Sequence, residues 1–230
     1  MAPSTPAKSK AAAGITADKV TTAATELTAR SGLDGWSVRD LAAALTVYPT
    51  VIYHHVGDRE AVLHAVVERV VAHMPCPPAD LPWREWFTEF LWEGREVLRR
   101  YPGVARRLCL AGPTVPSALR IIDRGVVVLQ RAGFGDQAVA VYTFLVGTAF
   151  LHVPLEDERS ERVDERLAAR DVFLAHGRGD DAPGLATVAA QLGGGGRSPE
   201  ELTRTDELHY RSILELSLDG AAARLAHLRA

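Results

Sequence analysis

A stretch with no formal charge, residues 138–155, sets the first requirement on this chain. It reaches the lower length limit of a membrane-spanning helix. Gly147, His152 and Pro154 interrupt it, however, and Tyr142, Thr143 and Thr148 add polar groups. No second such stretch exists, and its flanks carry no charge asymmetry. The segment therefore reads as a helix that other protein must cover on every side, with no membrane as partner.

The other periodic segments repeat every three to four residues and none alternates as a half-buried strand does, so an all-α fold is expected. Thr16 and Gly32 bracket a first helix over 15–31, striped by Val20, Ala23, Ala24 and Leu27. Ser37 and Asp40 have capping-box spacing at the head of a second helix, which buries Val38, Leu41, Ala42 and Leu45. Pro49 suits the first turn of a short third helix over 48–56, and Gly57-Asp58 leads into a fourth over 59–73. The fourth is apolar on two faces: Val62, Ala65 and Val66 on one, Leu63, Val67, Val70 and Met74 on the other. It must pack on two sides, as a connector does.

The prolines at 75, 77, 78 and 82 mark a boundary. Beyond them helices are expected over 83–101, 102–110, 116–132, 136–153 and 160–176. A Gly/Asp-rich loop over 177–197 has room for a short helix. A last helix, capped by Ser198 and Glu201, runs over 198–228 with a break near 203–205. The chain thus divides into a disordered tail (1–14), a small domain with its connector (15–74) and a larger helical domain (83–230).

At 230 residues the core needs neither disulfides nor metal. Cys76 and Cys109 read as buried or partly buried free thiols in a reducing compartment. The first residues lack an apolar signal core, so a cytoplasmic protein is expected. A net charge of −3 excludes a uniformly basic, histone-like binder but leaves room for a local basic face.

The first three helices have the form of a helix-turn-helix unit, whose second helix of the pair enters the DNA major groove. That helix offers Tyr48, Thr50, Tyr53 and His54 to solvent and keeps Val47, Val51, Ile52 and Val56 for packing. Arg59 opens the next helix, where a cation and free backbone N–H groups can share a phosphate. Charge supports this weakly, with a net of +1 through Arg59 against −3 overall. The alternatives are that Tyr53 only packs between helices and that His54 is a solvated surface residue.

The run Leu41-Ala42-Ala43-Ala44-Leu45-Thr46-Val47, followed by Ile52-Tyr53-His54-His55-Val56-Gly57-Asp58-Arg59-Glu60-Ala61-Val62-Leu63, resembles the N-terminal domain of TetR-family transcriptional regulators. The resemblance covers roughly 15–63, and the His55-Val56 pair is similar to the tetracycline-repressor subgroup. Three positions depart from the family pattern. Thr46 stands for the usual turn glycine, Tyr48 for a capping serine, and Arg59 for a phosphate-contacting lysine. The resemblance implies DNA contact by Thr50, Tyr53, His54 and Arg59, with Tyr48 beside them, and backbone or flanking-base contact by Ser37 and Arg39.

For the larger domain the resemblance implies a ligand cavity and a dimer interface. On the helix containing the uncharged run, Val139, Tyr142, Val146, Ala149 and Val153 share one face. Val141, Leu145, Thr148, His152 and Leu155 share another, which suits a layer between a cavity and a partner subunit. Leu214, Leu218, Ala221, Leu225 and Leu228 repeat along the last helix. Together these helices, near 136–155 and 205–228, can form a four-helix dimer interface, although an intrachain core accounts for either stripe alone. Candidate cavity residues are Trp86, Phe90, Arg106, Cys109, Tyr142, Phe150 and His152, aromatic bodies with a few polar handles. His73 and His152 are weak candidates for a metal chelate, and neither metal nor cofactor is expected.

No His-Glu-X-X-His, Gly-X-Ser-X-Gly or strand-linked Gly-X-Gly-X-X-Gly motif is present, so an enzyme is not expected. The expectation is a homodimeric repressor that a small molecule releases from a palindromic operator. The rival is an all-α small-molecule-binding protein whose DNA binding is degraded or absent.

Overall fold

The structure, a computed structural model, describes residues 14–177, 182–193 and 198–230. Residues 1–13 of the expected tail, and 178–181 and 194–197 of the expected loop, lie outside the described residues. Among the described residues every regular element is helical.

The N-terminal elements follow from their caps. Thr16 accepts from the Lys19 N–H to start α1 (Ala17–Ser31), which stops at Gly32. Ser37 and Asp40 exchange both capping-box bonds at the head of α2 (Val38–Ala44). α3 (Pro49–His55) begins with Pro49 and has no side-chain cap from Tyr48, as the departure at that position led one to expect. The α2–α3 turn passes through Thr46 at φ 58°, the only non-glycine with positive φ among the described residues. There the N–H groups of Thr46 and Val47 close onto the carbonyls of Ala43 and Ala42, at 3.0 and 2.9 Å.

Asp58 caps α4 (Arg59–Ala72), where Val62, Leu63, Val66, Val67, Val70 and Val71 are all buried. α1 covers one side and α7 the other, so the helix is the expected two-sided connector. Arg69 ties it to Asp18 and Thr22 of α1. Glu68 ties it to Ser117 at the head of α7, accepting from the Ser117 N–H (3.0 Å) and hydroxyl (2.6 Å).

The larger part comprises α5 (Trp83–Arg99), α6 (Val104–Ala111), α7 (Pro116–Leu129), α8 (Ala138–Glu161), α9 (Val163–His176), α10 (Pro183–Gly193) and α11 (Pro199–Arg229). α8, which contains the uncharged run, lies in the middle with α5, α6, α7 and α11 around it. Expected to end at 153, it instead continues through Pro154 to Glu161. Proline forfeits one helical hydrogen bond, but the turn beyond is anchored. Glu156 receives Arg95, 2.9 Å from Nη2, with both side chains buried. The break expected near 203–205 does not occur, because α11 is a single helix.

The stripe Leu214, Leu218, Ala221 and Leu225 is buried against this chain's own core. That corrects its expected role in a partner contact. On α8, Tyr142, Ala149, Val153, Val141 and Leu145 are likewise buried, whereas Phe144, Leu151 and Leu155 stay 51, 52 and 44% exposed. The uncovered face of α8 therefore lies between the two expected faces and keeps only Leu155 of the named residues. Cys76 and Cys109 are free and exposed rather than buried: one sits in the proline run, the other where a cavity opens.

Candidate functional sites: a nucleic-acid interface and an apolar cavity

The first site is the outer surface of α2, α3 and the start of α4. Ile52 is fully buried and fixes the rotation of α3, which leaves Thr50, Tyr53 and His54 exposed on one face at i, i+3 and i+4. Tyr48 and Tyr53 are large aromatics left about half exposed, at 47 and 49%. Such exposure puts two aromatic side chains at the surface, where a groove or a phosphate can be met. Arg39 is exposed on α2, and Ser37 is exposed but occupied as its cap. The Arg59 guanidinium lies 5.8 Å from the Trp36 ring centroid and 3.8 Å from the Asp34 carboxylate. It is thus held at the start of α4 beside α3.

The second site is a cavity of about 420 Å³ enclosed by α4–α8. Val71 comes from the end of α4 and Met74 from just beyond it, Phe90 and Leu98 from α5, and Ala105, Leu108 and Cys109 from α6. Ile121, Ile122 and Val126 come from α7, with Tyr142, Thr143, Val146, Gly147 and Phe150 from α8. No lining residue is charged; the side-chain polar groups are the hydroxyls of Tyr142 and Thr143 and the thiol of Cys109. Burial raises the pKa of Tyr142 and, less strongly, of Cys109, so both face the cavity as neutral groups. Two glycines give the rings room. A Cβ on Gly125 would stand 2.6 Å from Tyr142, and one on Gly94 would stand 2.9 Å from Phe150. Exposed Cys109, Thr143 and Val139 mark the mouth, between α6 and α8.

Residues 20–66 match the family described as bacterial regulatory proteins, tetR family. Over 148 residues the chain is 30% identical to the tetracycline repressor protein class A from transposon 1721 of Escherichia coli, spanning 61% of this chain and 68% of that one. The chain belongs to the TetR family of transcriptional regulators. An HTH-type transcriptional regulator of Saccharopolyspora erythraea is 29% identical over 180 residues, 75% of this chain and 74% of its own. The Streptomyces coelicolor TetR family protein ActR, solved in complex with actinorhodin, has the same fold. Its TM-score is 0.71 at 23% identity, over 90% of this chain and 97% of its own.

In this TetR-family regulator four of the seven expected cavity residues, Phe90, Cys109, Tyr142 and Phe150, line the cavity. The other three do not. Trp86 lies one layer behind, fully buried, with its indole N–H on the Pro77 carbonyl at 3.0 Å. Arg106 points outward from α6 to Glu158, because Ala105 and Cys109 take the inner face. His152 sits on the other side of α8, its ring centroid 5.8 Å from that of His209. His73 is bonded to the Arg69 carbonyl at the end of α4. Among the described residues no three His, Cys, Asp or Glu side chains converge as metal ligands.

Two links between the sites were not anticipated. Arg107 of α6 pairs with Glu60, next to Arg59, at 2.6 Å. The Leu33 N–H, in the α1–α2 turn, donates to the Pro102 carbonyl at 2.8 Å. No local pattern announces either, since each joins residues more than 40 positions apart.

Proposed function

We propose that this chain is a homodimeric repressor that a small molecule releases from a palindromic operator. Residues 15–74 form its DNA-binding unit and 83–230 its ligand-binding and dimerisation unit. The observation that carries this reading is that α4 begins with Arg59 at the nucleic-acid face and brings Val71 in its last turn, with Met74 just beyond it, to the cavity wall. A helix of this length spans about 20 Å, so a tilt of about 5° at one end moves the other by about 2 Å. A ligand that prefers the tilted state weakens DNA binding only to the extent of that preference.

α3 enters the major groove with Tyr48, Thr50, Tyr53 and His54 towards the bases, while Arg59, Arg39 and Ser37 face the backbone. Phe144, Leu151 and Leu155 of α8, with exposed Leu208 and Leu216 of α11, supply the dimer contact. Regulation proceeds by binding rather than turnover, and takes place in the cytoplasm, where the DNA is. ActR, crystallised with actinorhodin, supports a cavity of this kind as a ligand site.

The test is selection from a randomised duplex library at two salt concentrations, with Arg59→Gln and Tyr53→Ala alongside. Enrichment of a palindrome is expected. Arg59→Gln should flatten the salt slope of log K by about one unit for each phosphate the side chain no longer neutralises. Sequence-blind binding that neither substitution alters would overturn the DNA assignment and leave the small-molecule-binding reading.

A further inference from the structure

Behind the apolar cavity lies a second compartment of about 400 Å³, and Val71, Met74 and Ile121 belong to the walls of both. Its character is opposite to that of the first: Cys76, Ser117, Arg120, Asp123 and Arg124 line it. Arg120 and Arg124 stand one turn apart on α7 and present two guanidinium groups to one space. Arg120 donates to the Ser117 hydroxyl at 3.0 Å, but that hydroxyl already serves Glu68. Arg124 forms no hydrogen bond or ion pair among the described residues.

The uncharged cavity cannot itself accept an ion, because a charge moved there loses its hydration with nothing in return. The two compartments share a wall, and that wall includes one adaptable side chain. Met74 is unbranched, with three rotatable bonds and no polar atom to satisfy, and it directly follows the last turn of α4.

We propose that the effector is an amphiphile. Its apolar body occupies the cavity, and a carboxylate or similar monoanion reaches past Met74 to Arg120 and Arg124. This rests on reading the apolar cavity as the ligand site. It adds the chemical class of ligand and its second point of attachment, and the molecule straddles the end of the connector helix. Guanidinium is suited to the anionic end because its planar donors pair with a carboxylate in two-pronged fashion.

Two probes with the same ring system separate the possibilities: anthracene-9-carboxylic acid and 9-anthracenemethanol, titrated by fluorescence into the full-length protein at neutral pH. The acid is expected to bind about tenfold more tightly than the alcohol. In the Arg120→Gln/Arg124→Gln variant that margin should vanish while the alcohol binds as before. Both positions are exposed, so the variant should keep its fold, which circular dichroism checks. Gly147→Leu, which fills the apolar cavity, should weaken binding of both probes.

Equal affinities for acid and alcohol, or a margin that survives loss of both arginines, would overturn the amphiphile while leaving the cavity as a ligand site. Undiminished binding of the acid to Gly147→Leu would place it on the arginines alone and overturn the bridging mode. If neither probe binds the unmodified protein, the cavity reading falls with the proposal.

Discussion

Gly147 lies in the interior of α8 and lines the apolar cavity, yet a Cβ built on it meets no heavy atom within 4 Å. Replacing it should therefore stabilise the protein, contrary to the usual result of enlarging a residue beside a core. Gly147→Ala gains about 1 kcal/mol from helix propensity alone. Gly147→Leu adds three carbons beyond Cβ, worth about 2 kcal/mol at about 0.8 kcal/mol per buried CH₂. Fixing the rotamer returns roughly 0.5–1 kcal/mol of that. The leucine variant should thus exceed the alanine variant by about 1–2 kcal/mol, and the unmodified chain by about 2–3 kcal/mol. In a domain of this size the larger gain raises Tm by roughly 5–10 °C.

The assay is urea unfolding at one fixed protein concentration, because dimerisation couples to stability. An unchanged m-value is required for the comparison to hold. A leucine variant less stable than the alanine variant would show that the space is filled or faces a partner, and would refute the argument.

Thr46→Gly should raise stability by about 1 kcal/mol in the same assay, since a β-branched residue at φ 58° bears a steric cost that glycine avoids. An unchanged midpoint would mean that the turn relaxes around threonine. Glu156→Leu should cost about 3 kcal/mol by taking the buried partner from Arg95, which keeps only the half-exposed Glu96 at 2.8 Å, and adding Arg95→Met should recover most of that loss. A double variant as unstable as the single one would locate the cost in packing rather than charge. Phe144→Glu with Leu151→Glu should shift the protein to monomer in sedimentation velocity; a persistent dimer would move the interface off α8.

Helix identity was legible in the sequence wherever its causes are local. Thr16, Ser37-Asp40 and Ser198-Glu201 act within one turn, and each cap stands where its spacing places it. The two-sided character of α4 was equally readable, because it needs only the valines and the helical period. What failed depends on distant residues. α8 outruns Pro154 because Arg95, far away in sequence, holds the Glu156 carboxylate beyond it. Trp86 and His152 are the residue types a cavity wants, but the packing phase of α5 and α8 turns them elsewhere. Leu214, Leu218 and Leu225 show the same ambiguity, since apolar spacing specifies a buried face without saying which chain buries it. The exposed side of α3 was easier to read, as short helices packed on Ile52 and Leu41 leave little freedom in what they expose.

The valines along α4 belong to one buried cluster that runs beneath both halves of the molecule. The proline run at 75–82 is consequently a bend in the chain and not a seam in the structure. A fragment ending at residue 74 would strip the cover from Val67, Val70, Val71 and Met74, roughly 1.5–3 kcal/mol of lost burial for each fully uncovered side chain. It would also orphan the Leu33 N–H that the Pro102 carbonyl now satisfies. The reader of DNA is therefore not a portable head. Transplanting it onto another sensor would require carrying along the inner surface of α7 and the corner between α5 and α6, the surfaces against which it is cast.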